Sequence, residues 1–452
     1  MIEPRRRRAR ARLSRFGLLP LSLAVGGVRP LDSTKASYRG EPLDIRHVVI
    51  ADREGYPSAS NGVHQVARSL AFEQIRAGDA SRIIFVSDDP SGIAVPDGVR
   101  LDHIPLSGPT ILGRVVALGA SSREALLCDV GPRTMFHFHG ARKPLLVALT
   151  RHLRARGHPY AITLHSCFSH LFDREGRVLK PLVALYVAIF ERAALTGARF
   201  VHVLTDLERA ELGRLAPRAR AHQIPNGAFS SAGSQIPPPP ERVIGTDGSP
   251  VFGFCGRLAV FHKGIDLLVD GFALFCRQGG RGRLVLMGPG TDGGSLAARA
   301  AALGVADRVT LMEPRYGLER DAVMRGWDYF VAPSRLDHWP TAALEAALLG
   351  VPVLASHETG MPDIASRYDA GLPISGLTPE DVAETLARAA RIEPARWRLM
   401  SANAYRMARE VADWSVAVVR FRSLYQPEAE ARPDTRAVVS GASAGGRHVQ
   451  AR

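Results

Sequence analysis

From about residue 45 to about residue 425 the chain alternates short apolar runs with segments of helical period, and one proline-rich stretch interrupts the alternation. The first run, "IRHVVIA" at 45–51, reads as a strand. Behind it, "SNGVHQVARSLAFEQIRAGD" sets Val63, Val66, Ala67, Leu70 and Ala71 on one helix face. "SRIIFVS", "TMFHFHG", "YAITLHS", "ARFVHVLT" and "RAHQIPNG" read as further strands with helical stretches between them. Strands that alternate with helices build a parallel sheet covered on both faces. The stretch "SSAGSQIPPPPERVIGTDGSP" at 230–250 can form neither a central strand nor a packed helix, so it reads as a linker. Beyond it the alternation resumes with "VFGFCG", "RLVLMG", "RVTLME", "DYFVAPS" and "VPVLAS", and residues 377–425 read as helical throughout. The pattern predicts an α/β protein with doubly wound domains at 41–229 and 251–404. Ligands of such sheets sit outside the carboxyl ends of the strands, here in a cleft between the two domains.

Charge is concentrated at the amino end. The formal net charge is +14, and residues 1–40 carry ten basic against two acidic side chains, so the rest of the chain is only mildly basic. The leader "MIEPRRRRARARLSRFG" is expected to be disordered and to touch an anionic membrane surface, where each arginine contributes about 1 kcal/mol. The run "FGLLPLSLAVGGV" after it is a weak signal-like segment, but Pro20 interrupts it and no A-x-A site follows. The longest apolar run, "PLVALYVAIF" at 181–190, is half of a membrane span. Cys128, Cys167, Cys255 and Cys276 have no metal-like spacing and read as reduced, buried thiols. The expected location is therefore the cytoplasm, peripheral on the inner face of the membrane. Nucleic acid is not an expected partner, since no recognition module is present. The tail at 426–452 has no periodic apolar face and is expected to be disordered.

The residues with chemical potential follow strands. "CGRLAVFHKGIDLL" puts Arg257 and Lys263 in a loop ahead of a helix, where two cations and free N–H groups suit a diphosphate; a solvated basic loop would look the same. Gly288 in "MGPGTDGG" opens a glycine-rich turn that lacks the full dinucleotide-binding order. In "PSRLDHWPTAALEAALLGVPVLAS", Asp337 lies in a loop and Glu345 in the first turn of a helix expected at about 341–349. A loop acid and a good helix former would account for both. Carboxylates also accept hydrogen bonds from vicinal hydroxyls, and placed opposite Arg257 and Lys263 the two acids suit a nucleotide sugar. In the first domain, Asn61 and Gly62 enter a helix through a small-residue loop. His165 ends the "TLHS" strand, and Asn226 and Gly227 end another.

The ordered set of "NGV", "TLHS", "ERAALTGARFVHVLTDLERAEL", "IPNG", "GRLAVFHKGIDLL", "LMGPG", "YFVAPS" and "PTAALEAALLGVPVLAS" resembles the retaining GT-B glycosyltransferases of family 4 over residues 45–425. The resemblance implies two Rossmann-like domains facing across a cleft. The first is the acceptor side, completed by a C-terminal helix at 405–425, and the second binds the nucleotide sugar. It implies that Arg257 and Lys263 neutralise the departing diphosphate, that Asp337 lies near the transferred sugar, and that Glu345 binds the ribose. It places His165 beside the reacting centre and Asn61 and Gly62 over the phosphates, with Gly288, His338 and Trp339 on the donor side. The nucleotide diphosphate sugar is then a substrate, no cofactor or metal is expected, and the acceptor is a glycan or lipid-linked glycan of a cell-surface polysaccharide. The sequence contains no D-x-D, the usual metal holder of the other major sugar-transferase fold, so fixed cations are the expected alternative. The chain departs from the family pattern at Asp337-His338-Trp339, which has Asp for the first glutamate and two bulky residues where Gly-Phe is usual. A sugar phosphorylase on the same fold and a non-catalytic scaffold are the alternative readings.

Overall fold

The computed structural model describes residues 41–51, 62–89, 93, 95–111, 114–166, 168, 180–228, 249–290 and 292–426. The leader, most of the linker and the tail lie outside the described residues. The first sheet has seven strands: β1 (Asp44–Ile50), β2 (Ala80–Ser87), β3 (Arg100–Pro105), β4 (Thr134–His139), β5 (Tyr160–Thr163), β6 (Val201–Val203) and β7 (Ala221–Gln223). They lie in the order β3-β2-β1-β4-β5-β6-β7, and every pairing is parallel. The second sheet has six: β8 (Val251–Cys255), β9 (Arg283–Met287), β10 (Val309–Met312), β11 (Tyr329–Ala332), β12 (Val353–Ser356) and β13 (Gly371–Ile374). Their order is β10-β9-β8-β11-β12-β13, again all parallel.

Helices cover both faces of each sheet, which is why the central strands read as near-continuous apolar runs. Alternation along a strand then divides the packing. Val48 and Ile50 pack with Phe136, Phe138 and the helix Pro144–Ala155, while Val49 packs with Ile83, Phe85 and the helix Gly62–Arg76. The same alternation puts His137 and His139 of β4 on one face. Register sets His47 opposite His137, and Thr163 opposite both His139 and His202.

Two strands absent from the sequence reading, β3 and β13, are sheet edges. The region expected to be helical over 377–425 is three helices: Pro379–Ala390, Pro394–Val411 and Trp414–Tyr425. Pro394 opens the second, and Asp413 caps the third by accepting from the Ser415 N–H at 2.8 Å. The helix Pro394–Val411 stays with the second domain, where Trp397 donates to the Asp328 carbonyl and Ser401 to that of Gly350. Only Trp414–Tyr425 returns to the first domain, so the crossover lies at 412–413 and not at 405. There Arg422 pairs with buried Asp79, and the Phe421 ring meets His202 edge-on at 4.8 Å. Cys128, Cys255 and Cys276 are free thiols, Cys128 exposed and the other two only partly buried, and Cys167 lies outside the described residues. Among the described residues no helix is long and apolar enough to cross a membrane.

Candidate active site

Each sheet reverses its strand order at its first strand, between β1 and β4 and between β8 and β11. A crevice opens at the carboxyl ends on either side of such a reversal. Beyond β8 the loop carries Arg257, half-buried, and then the helical turn Val260–Lys263. Gly264 turns the chain at φ 65°, and a Cβ there would collide with the Pro333 carbonyl oxygen, so this loop lies against the one that follows β11. The backbone N–H groups of Arg335 and Leu336 donate to the His262 carbonyl at 3.0 and 3.2 Å. These contacts seat Asp337 beside Lys263, and the two side chains form an ion pair. The side chains retain 18% and 23% exposure. Gly288 follows β9 at φ 153°, where a Cβ would strike the Gly256 carbonyl. It lines a cavity of about 310 Å³ together with Leu258, Pro289, Gly290, Leu311 and Met312.

Glu345 sits one turn deeper than expected in the helix Thr341–Leu348. Its partner is Arg320, whose Nη1 donates to Oε2 at 2.8 Å while Nη2 donates to Asp321 at 2.9 Å. Burial alone would push the Arg320 guanidinium down; the charges of Glu345 and Asp321 outweigh it and hold it well above its usual range. Arg320 is a site residue that no local motif announces, because it precedes Glu345 by 25 positions on another helix.

On the first-domain wall, His165 and Ser166 follow β5 with φ of 53° and 59°, a left-handed conformation costly for residues with a Cβ. Glu208 holds them there. Its carboxylate accepts from the Ser166 N–H and the Leu204 N–H, both at 2.7 Å, and burial pushes it up to about 7. His139 and His165 share a hydrogen bond of 3.1 Å, and burial pulls His165 down to about 3, so the ring is neutral. Gly62 opens the helix after β1, and Asn61 lies outside the described residues. Lys143, after β4, also faces this wall and is close enough to disfavour charge on His64 and His165.

His338 and Trp339 lie between the two domains. They are 1% and 5% exposed and fill the seam between the domains. The His338 N–H donates to Ser166 Oγ at 3.4 Å, its ring faces Glu211 at 3.7 Å, and Trp339 Nε1 donates to the Asn226 carbonyl at 3.3 Å. The bulky departure from the family pattern is therefore a wedge that packs the second-domain loop onto the first domain, with Leu204 beside Trp339 in one apolar cluster. Burial lowers His338 to about 4 and raises Glu211 to about 8, so both face each other uncharged at neutral pH.

Among the described residues, His47, His137 and His139 have ring nitrogens within 4.8 Å of one another, close enough for a metal ion. Their nitrogens are already hydrogen-bonded: His47 to Gln74 and His139, His139 also to His165, and His137 to Tyr425 and Thr163. A metal would have to break those bonds, so the cluster reads as a hydrogen-bonded network.

Comparison with known proteins agrees with this architecture. The chain is 32% identical over 181 residues to a D-inositol 3-phosphate glycosyltransferase of Corynebacterium glutamicum (strain R), covering 39% of this chain and 43% of that one. The chain thus spans less than half the length of that relative. With a D-inositol 3-phosphate glycosyltransferase of Saccharomonospora viridis the identity is 28% over 365 residues, covering 73% and 81%. The structure of Anabaena Alr3699/HepE in complex with UDP and glucose superposes with a TM-score of 0.60 at 15% identity, covering 84% of this chain and 98% of that one. Residues 61–227 match the family model described as glycosyl transferase 4-like domain, and residues 249–391 match that of the glycosyl transferases group 1. With both domains matched in order, the chain belongs to the group 1 (family 4) glycosyltransferases of GT-B fold.

Proposed function

We propose that the protein moves a sugar, with retention, from a nucleotide diphosphate sugar to a hydroxyl-bearing acceptor. The observation that carries the reading is the Lys263–Asp337 pair at the switch point of the second sheet. An arriving diphosphate takes Lys263 from Asp337, with Arg257 in the same loop, and the released carboxylate is free to accept hydrogen bonds from the sugar hydroxyls. Glu345, steadied by Arg320, is the acceptor for the ribose hydroxyls. The bond between the sugar's anomeric carbon and the diphosphate oxygen breaks, with its electron pair going to the diphosphate. The acceptor oxygen forms the new bond, and its proton passes to the departing phosphate. Fixed cations stabilise that leaving group without reorganisation. In this reading no resident metal is needed.

The relatives' names suggest cyclitol-type acceptors such as D-inositol 3-phosphate, and the Anabaena complex suggests UDP as the first nucleotide to try. The arginine-rich leader favours a lipid-linked glycan at an anionic membrane instead. The test is thermal unfolding of the full chain against UDP, GDP, ADP and their sugar conjugates. A nucleotide at a hundred times its Kd adds roughly 2.7 kcal/mol. A shift with one nucleotide supports the reading, and its conjugate is then incubated with either acceptor class and the product anomer read by NMR. No shift with any nucleotide overturns it.

A further inference from the structure

The longest apolar run of the sequence, at 181–190, folds as part of a rod on the outside of the first domain. The helix Lys180–Tyr186, a π-helical turn Val187–Glu191 and the helix Arg192–Gly197 follow one another with helical backbone at both joins. One side of the rod packs inward. Val187, Ala194 and Leu195 are buried there, and the Tyr160 hydroxyl donates to the Ala194 carbonyl at 2.7 Å. The other side is apolar as well: Leu182, Leu185, Ile189 and Phe190, spaced as i, i+3, i+7 and i+8, are each more than half exposed. Of the ten large apolar side chains exposed among the described residues, four thus stand on this one rod. A helix apolar all round normally lies inside a core. Scattered exposed leucines need no explanation, but a stripe of four does.

The flanks of the stripe are cationic. From the neighbouring helix Pro144–Ala155, Arg154 donates to the Ala193 carbonyl at 2.7 Å, and Arg151 stands one turn before it. On the other flank Arg192 donates to the Leu215 carbonyl at 2.8 Å, and all three arginines are exposed. The rod and the neighbouring helix contain one acid between them, Glu191, and it is buried. We propose that this stripe docks on an anionic lipid bilayer, with the apolar ridge set below the headgroups and the arginines among the lipid phosphates.

Size and charge select the bilayer over other occupants. The apolar run is half of a membrane span, so the rod lies in the interface and does not cross it. A stable protein partner takes about 20–30 residues a side, well beyond a ridge of four side chains. Arginines bordering an apolar ridge, with no exposed acid on either helix, match a surface of acyl chains and phosphates. The stripe is also placed toward the cleft. The rod joins the parallel strands β5 and β6, so it runs back against them, and Tyr160 fixes Ala194 level with the amino end of β5. From Ala194 to Leu182 it covers about 18 Å, against about 10 Å for β5, so Leu182 and Leu185 reach past the carboxyl ends. Docking there holds the acceptor side of the cleft at the bilayer and favours the lipid-linked acceptor. That consequence rests on the transferase reading; the surface itself does not.

The test is co-flotation of the full chain with vesicles of phosphatidylglycerol and phosphatidylcholine in equal parts, joined to hydrogen exchange of the bound protein. The expected result is binding that weakens with salt, and slowed exchange in peptides of residues 181–195. Leu185→Gln combined with Ile189→Gln should lower the partition coefficient about tenfold. The melting temperature should hold, because both side chains are exposed. Arg151→Gln should lower partition about fivefold at low salt, and raised salt should erase that difference. The arginine-rich leader is intact in every variant. Binding that the double variant leaves at the wild-type level therefore belongs to the leader and overturns the proposal, as does a wild-type chain that does not bind. A dimer that the double variant splits, with vesicle binding unchanged, would give the stripe to a second copy. A lower melting temperature of that variant, again with binding unchanged, would give it to a segment of the chain itself. Neither nucleotide nor turnover enters these readouts, so the surface stands or falls apart from the proposed reaction.

Discussion

The two walls of the cleft are built from opposite electrostatic materials. On the second domain the polar groups are charged and paired: Lys263 with Asp337, partly exposed, and Arg320 with Glu345 and buried Asp321. On the first domain, Lys143 apart, they are mostly buried and drawn toward their uncharged forms: a hydrogen-bonded file of histidines, with Glu191, Glu208 and Glu211 raised to about 7, 7 and 8. A wet ion pair can trade one partner for a phosphate at small cost, because water screens the intermediate. A buried neutral network cannot trade without losing a bond, but it holds a side chain in one tautomer and one orientation. In the proposed reaction the second wall would catch charge and the first would fix geometry.

The largest expected effect separates the walls by pH. The folded-state values of His47, His137, His139, His165 and His202 are depressed, so the stability they contribute is present above about 6.5 and lost as pH falls toward 4. For a ring such as His47, taken from 6.5 to about 4, that is on the order of 3 kcal/mol. The raised carboxyls have the opposite sign. Their contribution is present below about 4.5 and lost as pH rises through 7 to 8. Both groups belong to the first domain, so its stability should peak near pH 6–7 and fall steeply on the acid side. Hydrogen exchange by mass spectrometry, corrected for intrinsic rate, should show opening below pH 5.5 in peptides of residues 41–228 before those of 251–411. Simultaneous opening of both domains would break the contrast.

Next in size is the charge-catching wall. Lys263→Ala and Arg257→Ala should each lower kcat by on the order of a hundredfold, as expected when one preorganised cation is lost from a leaving group. Lys263→Ala should leave the melting temperature nearly unchanged, because a partly exposed pair contributes little to folding. A large loss of stability with turnover intact would make the pair structural and reverse its assignment. Glu208→Gln probes the other wall and should do the reverse. The amide offers one acceptor where the carboxylate serves both Ser166 and Leu204, so a buried N–H is orphaned at a cost of about 1–3 kcal/mol. The melting temperature is the readout, and an unchanged value would mean that the left-handed His165–Ser166 turn holds itself.

How much of this was legible in the sequence follows the same division. Central strands announce themselves because both of their faces are covered, whereas the edges β3 and β13 do not: "RLDHIP" carries polar residues at an open rim, and "GLPI" is short. The motif residues fell at strand ends as expected, since a loop's place is set by the strand it follows. Their partners were hidden. Arg320 reaches Glu345 from a separate helix, and Tyr425 reaches His137 across 288 positions, so no window of the chain contains either pair. The inter-domain packing of His338 and Trp339 was hidden for a related reason. Nothing local distinguishes a bulky residue facing a ligand from one facing another domain; only the approach of Ser166, Glu211 and Asn226 decides it. The break at 412–413 was missed because Val411 and Trp414 continue an apolar pattern across it, and only the Asp413 cap marks the turn.

The smallest predicted effect sharpens the contrast by controlling for it. Arg299 and Asp270 form a two-pronged ion pair on the second domain, both prongs at 2.5 Å, with better geometry than either pair in the cleft. It joins the helices Gly293–Ala302 and Ile265–Arg277, and the Arg299 side chain is 46% exposed. If the cleft pairs mattered merely as ion pairs, Arg299→Ala should rival Lys263→Ala in its effect. The expectation is that it changes stability by less than about 1 kcal/mol, the usual worth of an exposed pair, and leaves both nucleotide binding and turnover at wild-type values. Calorimetry and a nucleotide titration on the same two variants decide the matter. Equal losses of binding would mean that the second domain responds to its total charge, and that the place of Lys263 at the switch point carries no special weight.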